Sequence, residues 1–170
     1  VQVTAELTPH HLLFTDCAVA AHGTQAKMNP PLRTIDDRES LIKHIENDVI
    51  SIFATDHAPH LAKEKALDMK LAANGIIGLE TALAIALTEL HHRRKMPLLK
   101  VLKLMTSAPA ELLGIPAGTL GLGRKADFVL IDINRQWRYE VGKSFSKGRN
   151  CPYDNMLFRG QATKTFINIQ

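Results

Sequence analysis

Cysteine is scarce in this 170-residue chain: Cys17 and Cys151 stand far apart, without neighbouring partners. Two such thiols exclude a disulfide-stapled secreted scaffold and match no zinc-site spacing. They point to free thiols in a reducing cytoplasm. Aromatic residues are few, 5% of the chain, which removes the stacking platforms a single-stranded nucleic-acid binder uses. No apolar run approaches the ~18 residues of a spanning helix. Residues 1–10 also lack the basic flank and apolar stretch of a signal peptide. Charge is not strongly one-sided, at net +4. The one dense basic run, His91-His92-Arg93-Arg94-Lys95, follows a helical pattern, where cations suit the negative end of the helix dipole. Neither nucleic acid nor a membrane is therefore an expected partner.

What is present suits a globular core. Hydrophobic residues make up 45% of the chain and charged residues 22%, and the length suits one domain. The chain opens on a strand-like alternation, Val1–Leu7, with no start methionine, and reads as a piece of a longer protein. Residues 8–35 read as a long loop. A helix follows, capped by Asp36 or Asp37, with Leu41, Ile42 and Ile45 as its apolar stripe. Val49–Ala54 is a short apolar run of the kind that forms a buried parallel strand. Pro59 makes the next residues a loop. A lysine-rich stretch covers 61–74, and the spacing then predicts helices over 76–93, 97–105 and 107–113. From about 114, glycines punctuate short segments, with strands expected over 126–131, 135–141 and 161–168. This order suits a βα repeat followed by a small β layer.

The chemistry is concentrated where the buried strand ends. Barrel enzymes place catalytic residues at the C-terminal ends of their strands, and Asp56, His57 and His60 follow this one closely. Carboxylate and imidazole are the usual ligands of zinc and similar ions, and a carboxylate can also carry a proton of the attacking water. The same residues also fit a plain loop, with Asp56 capping backbone N–H groups and both histidines solvated. Asp-His-x-x-His is not a standard zinc spacing, so both readings stand on spacing alone.

Longer motifs add to this. Phe-Ala-Thr-Asp-His-Ala-Pro-His at 53–60 resembles the signature of the dihydroorotases, within the amidohydrolase superfamily. Lys-Met-Asn-Pro-Pro-Leu-Arg at 27–33 resembles a second motif of that family. Similar stretches are Val-Thr-Ala-Glu-Leu-Thr-Pro-His-His-Leu at 3–12, Asn-Gly-Ile-Ile-Gly-Leu-Glu-Thr-Ala at 74–82, Gly-Thr-Leu-Gly-Leu-Gly-Arg-Lys-Ala-Asp-Phe-Val-Leu at 118–130 and Ser-Lys-Gly-Arg-Asn-Cys-Pro-Tyr-Asp at 146–154. Together they span nearly the whole chain.

The resemblance implies a zinc-dependent cyclic amide hydrolase that interconverts N-carbamoyl-L-aspartate and L-dihydroorotate in pyrimidine biosynthesis. By motif position, Asp56 matches a metal-bound aspartate that takes a proton from the nucleophilic water and delivers it to the leaving amide nitrogen. Asn29, His60, Asn74 and Gly75 match substrate-contacting positions, His60 through the substrate carboxylate and the Asn74–Gly75 pair through backbone groups. The usual Pro-Phe-Gly of the family is Ala73-Asn74-Gly75 here, which alters the pocket wall. His10 and His11 match no ligand position and are expected to structure the loop at the site's edge. His57 either orients Asp56 or packs as a satisfied histidine. Arg33 could clamp a carboxylate, but an ion pair with Asp36, Asp37 or another loop carboxylate is the expected role.

The family's remaining ligands, among them a His-x-His pair, have no counterpart in the chain. A closed eight-stranded barrel also needs roughly 250 residues. The expected fold is therefore α/β: the C-terminal part of a (β/α)8 TIM-like barrel over residues 1–115, and C-terminal strands of a small β-sandwich over 116–170. The expected partners are the small-molecule substrate and the N-terminal half of the barrel, with a homodimer or a carbamoyltransferase as further possibilities. The chain alone is expected to be inactive. The alternatives are another cyclic-amide hydrolase of hydantoinase or allantoinase type, or a truncated, non-catalytic scaffold subunit.

Overall fold

The computed structural model describes Val1 and residues 3–169. Strand β1 (Ala5–Leu7) pairs in parallel with β2 (Ile50–Phe53), and Leu7 lies opposite Phe53. Ile50, Ile52 and Phe53 are buried, as the apolar run predicted. Parallel strands need a long crossover, and residues 8–49 provide it.

That crossover is more ordered than the sequence suggested. In place of one loop over 8–35 there are helices α1 (Pro9–Leu13) and α2 (Cys17–His22), followed by a 3₁₀ turn, Gly23–Ala26. Thr8 caps α1 with Pro9 in its first turn, and the Asp16 side chain accepts from the Cys17 N–H. The proline and polar residues that read as loop punctuation are thus helix-starting signals. Leu12 and Ala18 carry these short helices into the core. In α3 (Ile35–Glu46) the cap is Thr34 rather than Asp36 or Asp37. Asp37 instead returns a bond to the Thr34 N–H, closing a capping box. Ile42 and Ile45 are buried as expected.

Beyond β2, the lysine-rich stretch contains a single turn, α4 (Ala62–Lys65). The helix expected over 76–93 starts late. Residues 76–81 run past the 54–60 loop, with Ile76 bridged to His57, and only then come α5 (Ala82–Ala86) and a π-helical continuation, Leu87–Arg93. The cause is a contact from another loop: the Gly78 and Leu79 N–H groups bond the His57 ring instead of a helical turn, and Leu79 is exposed. Helices α6 (Leu98–Lys103) and α7 (Ser107–Leu112) fall where predicted.

The tail is one antiparallel ribbon, β3 (Ala126–Arg138) against β4 (Leu157–Ile169). The two strands expected over 126–131 and 135–141 are a single strand with an irregular register between Asp132 and Gln136. There the Asp132 carboxylate accepts from the Asn134 and Arg135 N–H groups. The ribbon is rooted on the π-helix, where Thr88 Oγ1 accepts from Arg159 N–H (2.9 Å) and donates to its carbonyl (3.2 Å). No helix among the described residues is long and apolar enough to cross a membrane.

The two thiols differ sharply. Cys17 is exposed and Cys151 buried, and burial pushes the Cys151 thiol up to about 12. Since the thiolate is the reactive form, a maleimide at neutral pH is expected to label Cys17 alone in the folded chain. Cys151 should react only on unfolding, which peptide mass mapping reads; native labelling of Cys151 would contradict its burial.

Candidate functional site

Three segments meet beyond the C-terminal end of β2: the 54–60 loop, residues 73–78, and the 27–33 loop. His57 joins the first two. Its Nδ1 accepts from the N–H of Gly78 (3.0 Å) and of Leu79 (3.4 Å), so Nε2 carries the proton of the neutral ring. Ala58 N–H donates to the Ile76 carbonyl (2.8 Å). Gly75 is required at this crossing: its φ is +95°, and a Cβ there would lie 2.7 Å from that of Ala58.

His60 and the Asn74–Gly75 pair, predicted to share the substrate, are in direct contact. His60 Nε2 donates to the Asn74 carbonyl at 2.8 Å. Its Nδ1 lies 3.7 Å from the Glu64 carboxylate. The 27–33 loop is tied in at its base, where Gly75 N–H donates to the Lys27 carbonyl (2.8 Å). Its prolines are held by His11, whose Nε2 donates to the carbonyls of Pro30 (3.0 Å) and Pro31 (3.3 Å). His11 Nδ1 accepts a hydrogen bond from the Thr8 hydroxyl at 2.6 Å. The expected loop-structuring role of His11 thus has a specific form. Arg33 sits 3.4 Å from Asp37, the ion pair foreseen for it.

Asp56 and Asn29 are exposed, and neither side chain has a hydrogen-bond partner among the described residues. Asp56 adopts φ +47°, a conformation that Asp tolerates better than most residues. No direct bond links Asp56 to Asn29 or to His60; the structure brings together their loops, not their side chains. Its contact with the neighbouring His57 ring, weighed from the sequence, is likewise replaced by the His57 bonds to Gly78 and Leu79.

Sequence reasoning missed two residues. Lys65 is 1% exposed and its Nζ donates to the carbonyls of Ala73 and Gly75, both at 3.0 Å. Burial, then the nearby Lys27 ammonium, lowers its pKa to about 8. Asn150, 3% exposed, donates through Nδ2 to the carbonyls of Ala58 (2.8 Å) and Gly75 (3.2 Å) and accepts from His60 N–H (2.9 Å). Neither was legible: a lysine in a lysine-rich stretch reads as solvated, and Asn150 lies 90 positions from His60. With these bonds counted, Asn74 N–H is the one backbone polar group of residues 73–75 without a partner among the described residues.

A catalytic zinc needs three protein ligands and an open position. Among the described residues no group of three or more His, Cys, Asp or Glu could hold a metal ion. Asp56 can therefore contribute to such a site but cannot make one with its neighbours. A cavity of about 510 Å³, lined by residues that include Glu80, Trp137, Tyr139 and Phe145, contains none of the five predicted site residues.

With the geometry established, likeness to known proteins adds the following. A family model described as the amidohydrolase family matches residues 7–168. A protein named dihydroorotase from Anaplasma phagocytophilum is 44% identical over 168 residues, 99% of this chain and 37% of that protein. One of the same name from Bacillus licheniformis is 44% identical over 165 residues, 97% of this chain and 39% of that one. Among solved structures, the L-hydantoinase (dihydropyrimidinase) of Arthrobacter aurescens superposes with a TM-score of 0.94 at 28% identity, covering 99% of this chain and 38% of its own. The dihydropyrimidinase of Brevibacillus agri NCHU1002 matches in fold, with a TM-score of 0.91 at 23% identity over 98% of this chain and 38% of its own.

Proposed function

The chain belongs to the amidohydrolase family, and from that premise we propose that it is the C-terminal part of a dihydroorotase. The fold is the expected one, mixed α/β and part of a TIM-like barrel with an antiparallel β extension. Because the chain spans 37–39% of the length of the two dihydroorotase relatives, the complete activity is assigned to a longer assembly that supplies the N-terminal half of the barrel. Residues 1–115 form the barrel portion in this reading, and 116–170 the β-rich portion.

The observation that carries the proposal is the bond from His60 to Asn74 and the link through Asn150 to Gly75, on loops that meet at the end of the buried parallel strand that Asp56 follows. In this reading Asp56 takes a proton from the attacking water and returns it to the amide nitrogen of L-dihydroorotate as the ring opens. Asn29 offers both donor and acceptor to the imide-like ring. The Asn74 N–H is free to bond a substrate oxygen. His60 has its Nε2 committed to Asn74, so it reaches the substrate carboxylate through Nδ1, which must then carry a proton. Asp56 would hold a zinc ion together with ligands outside this chain, and the metal would supply carbonyl polarisation and a more acidic water there. The assembly acts in the cytoplasm, as a homodimer or beside a carbamoyltransferase.

The likeness to L-hydantoinase supports one other reading, a hydantoin-opening enzyme. Both are tested together. The 170-residue chain with zinc is expected to turn over neither dihydroorotate nor hydantoin. Supplying the N-terminal portion should restore dihydroorotate hydrolysis, and Asp56→Asn should then lower kcat by about 10²–10⁴-fold. Full activity in that variant would remove Asp56 from proton transfer. Restored turnover of hydantoin alone would favour the second reading.

A further inference from the structure

Asn150 reaches the site from the far end of the chain, and its bonding there is nearly saturated. Its side chain offers two donor hydrogens and one carbonyl oxygen. Both donors are used, on the Ala58 carbonyl at 2.8 Å and the Gly75 carbonyl at 3.2 Å, and the oxygen accepts from His60 N–H at 2.9 Å. Its backbone carbonyl takes the Ile77 N–H at 3.1 Å. One residue thus holds both sides of the crossing between the 54–60 loop and residues 74–77.

The neighbouring backbone is fitted to this arrangement. A Cβ on Gly148 would meet Pro59 Cβ at 2.8 Å and the Asn150 side-chain oxygen at 2.9 Å. The segment just before is pinned by Glu80, whose carboxylate accepts from the Phe145 and Ser146 N–H groups (both 3.1 Å) and from the Ser144 hydroxyl. Residues 144–150 are therefore a strap lying on the site loops, and Asn150 is its point of attachment.

We infer that Asn150 is a positioning residue for the Asp56 loop and the Asn74–Gly75 segment, acting from the strap and touching no substrate itself. This rests on the dihydroorotase reading for its catalytic consequence but not for its structural one. By occupying the Gly75 carbonyl together with Lys65, Asn150 fixes the peptide whose neighbour, Asn74 N–H, is left free. By holding His60 N–H it sets the imidazole against Asn74. Losing it lets the two loops separate, so the substrate contacts fall out of register while the hydrophobic core stays intact.

Two variants test this. Asn150→Ala removes all three side-chain bonds. Asn150→Asp keeps the acceptor for His60 N–H and replaces the donor nitrogen with one oxygen that faces both carbonyls. Amide exchange on the 170-residue chain is expected to rise at least tenfold at Ala58, His60 and Gly75 in Asn150→Ala, with Ile85 and Val101 unchanged. In Asn150→Asp, Gly75 should loosen more than His60. In the assembly with the N-terminal portion, Asn150→Ala should raise KM at least tenfold, with a smaller loss of kcat. Uniform acceleration of exchange at all five amides would make Asn150 an ordinary structural residue and overturn the proposal. So would unchanged exchange, or local loosening with unaltered KM. If the wild-type assembly turns over no dihydroorotate, the functional reading fails by itself, and the exchange result still decides whether Asn150 holds the loops.

Discussion

Replacing Gly160 by alanine is expected to destabilise the chain by about 3 kcal/mol or more, through strain and overpacking combined. Gly160 lies in β4 with φ +103°, and an added Cβ would stand 2.4 Å from Leu87 Cδ1 and 3.0 Å from Leu87 Cβ. Rotating the leucine can relieve the first contact. It cannot relieve the second, because the backbone of the π-helical segment fixes that Cβ, and Leu87 is fully buried. The ribbon must then lift from the helix, at the cost of bonds along the same seam. Arg159 N–H to Thr88 Oγ1 is 2.9 Å, and Trp137 Nε1–H to the Gly160 carbonyl is 3.0 Å. Gly114 is the matched control: its φ is +64°, but nothing lies within 4 Å of a new Cβ. Gly114→Ala should therefore cost only about 1 kcal/mol of backbone strain. Urea melts of both variants decide the matter, and equal losses would show that the Leu87 contact contributes nothing.

Which parts of this molecule were legible follows from the range of the interactions that form them. β2, α6 and α7 are set by runs of a few residues, and their apolar patterns predicted them. The box at Thr34 is also local, yet the two aspartates beside it drew the cap assignment, because a residue's capping role depends on backbone angles that composition does not display. Helices α1 and α2 were lost for a related reason: at five and six residues they are too short to show a period. The late start of α5 depends on His57, 21 positions before Gly78, whose ring captures N–H groups a helix would otherwise use. The site divides in the same way. Asp56, His60, Asn74 and Gly75 sit in recognisable motifs. Asn150 matters only because the fold carries carbonyls 75 and 92 positions away to it, and Lys65, whose partners lie 8 and 10 positions on, is hidden because a lysine among lysines shows no sign of burial.

Acidification should expose the chain's other unusual residue, His10. It lies in α1 directly after β1, 1% exposed, and its Nε2 is buried without a partner. Burial, and secondarily the adjacent His11, lowers its pKa from 6.5 to about 3. The folded state therefore keeps a neutral ring where the unfolded chain takes up a proton. Well above pH 6.5 His10 adds no pH-dependent cost, and stability falls steadily as pH drops from 6.5 towards 3. Over that whole span the loss is roughly 4–5 kcal/mol, of which about 2 kcal/mol comes by pH 5. The carboxylates act lower on the scale. Asp37, Glu39 and Glu80 are held below their ordinary values and also lose stabilisation in acid, but only as pH falls through the carboxylate range. Burial raises Glu89, so it works in the opposite direction. His92, lowered first by burial, adds a shallow slope of the same sign as His10 but is far more exposed. The interval from pH 6.5 to 5 is consequently dominated by His10. Stability from urea melts at pH 7, 6 and 5 should fall in the wild-type chain and stay nearly level in His10→Phe, which fills the same space without a titrating nitrogen. If His10→Phe kept the wild-type slope, the buried imidazole would not be its source.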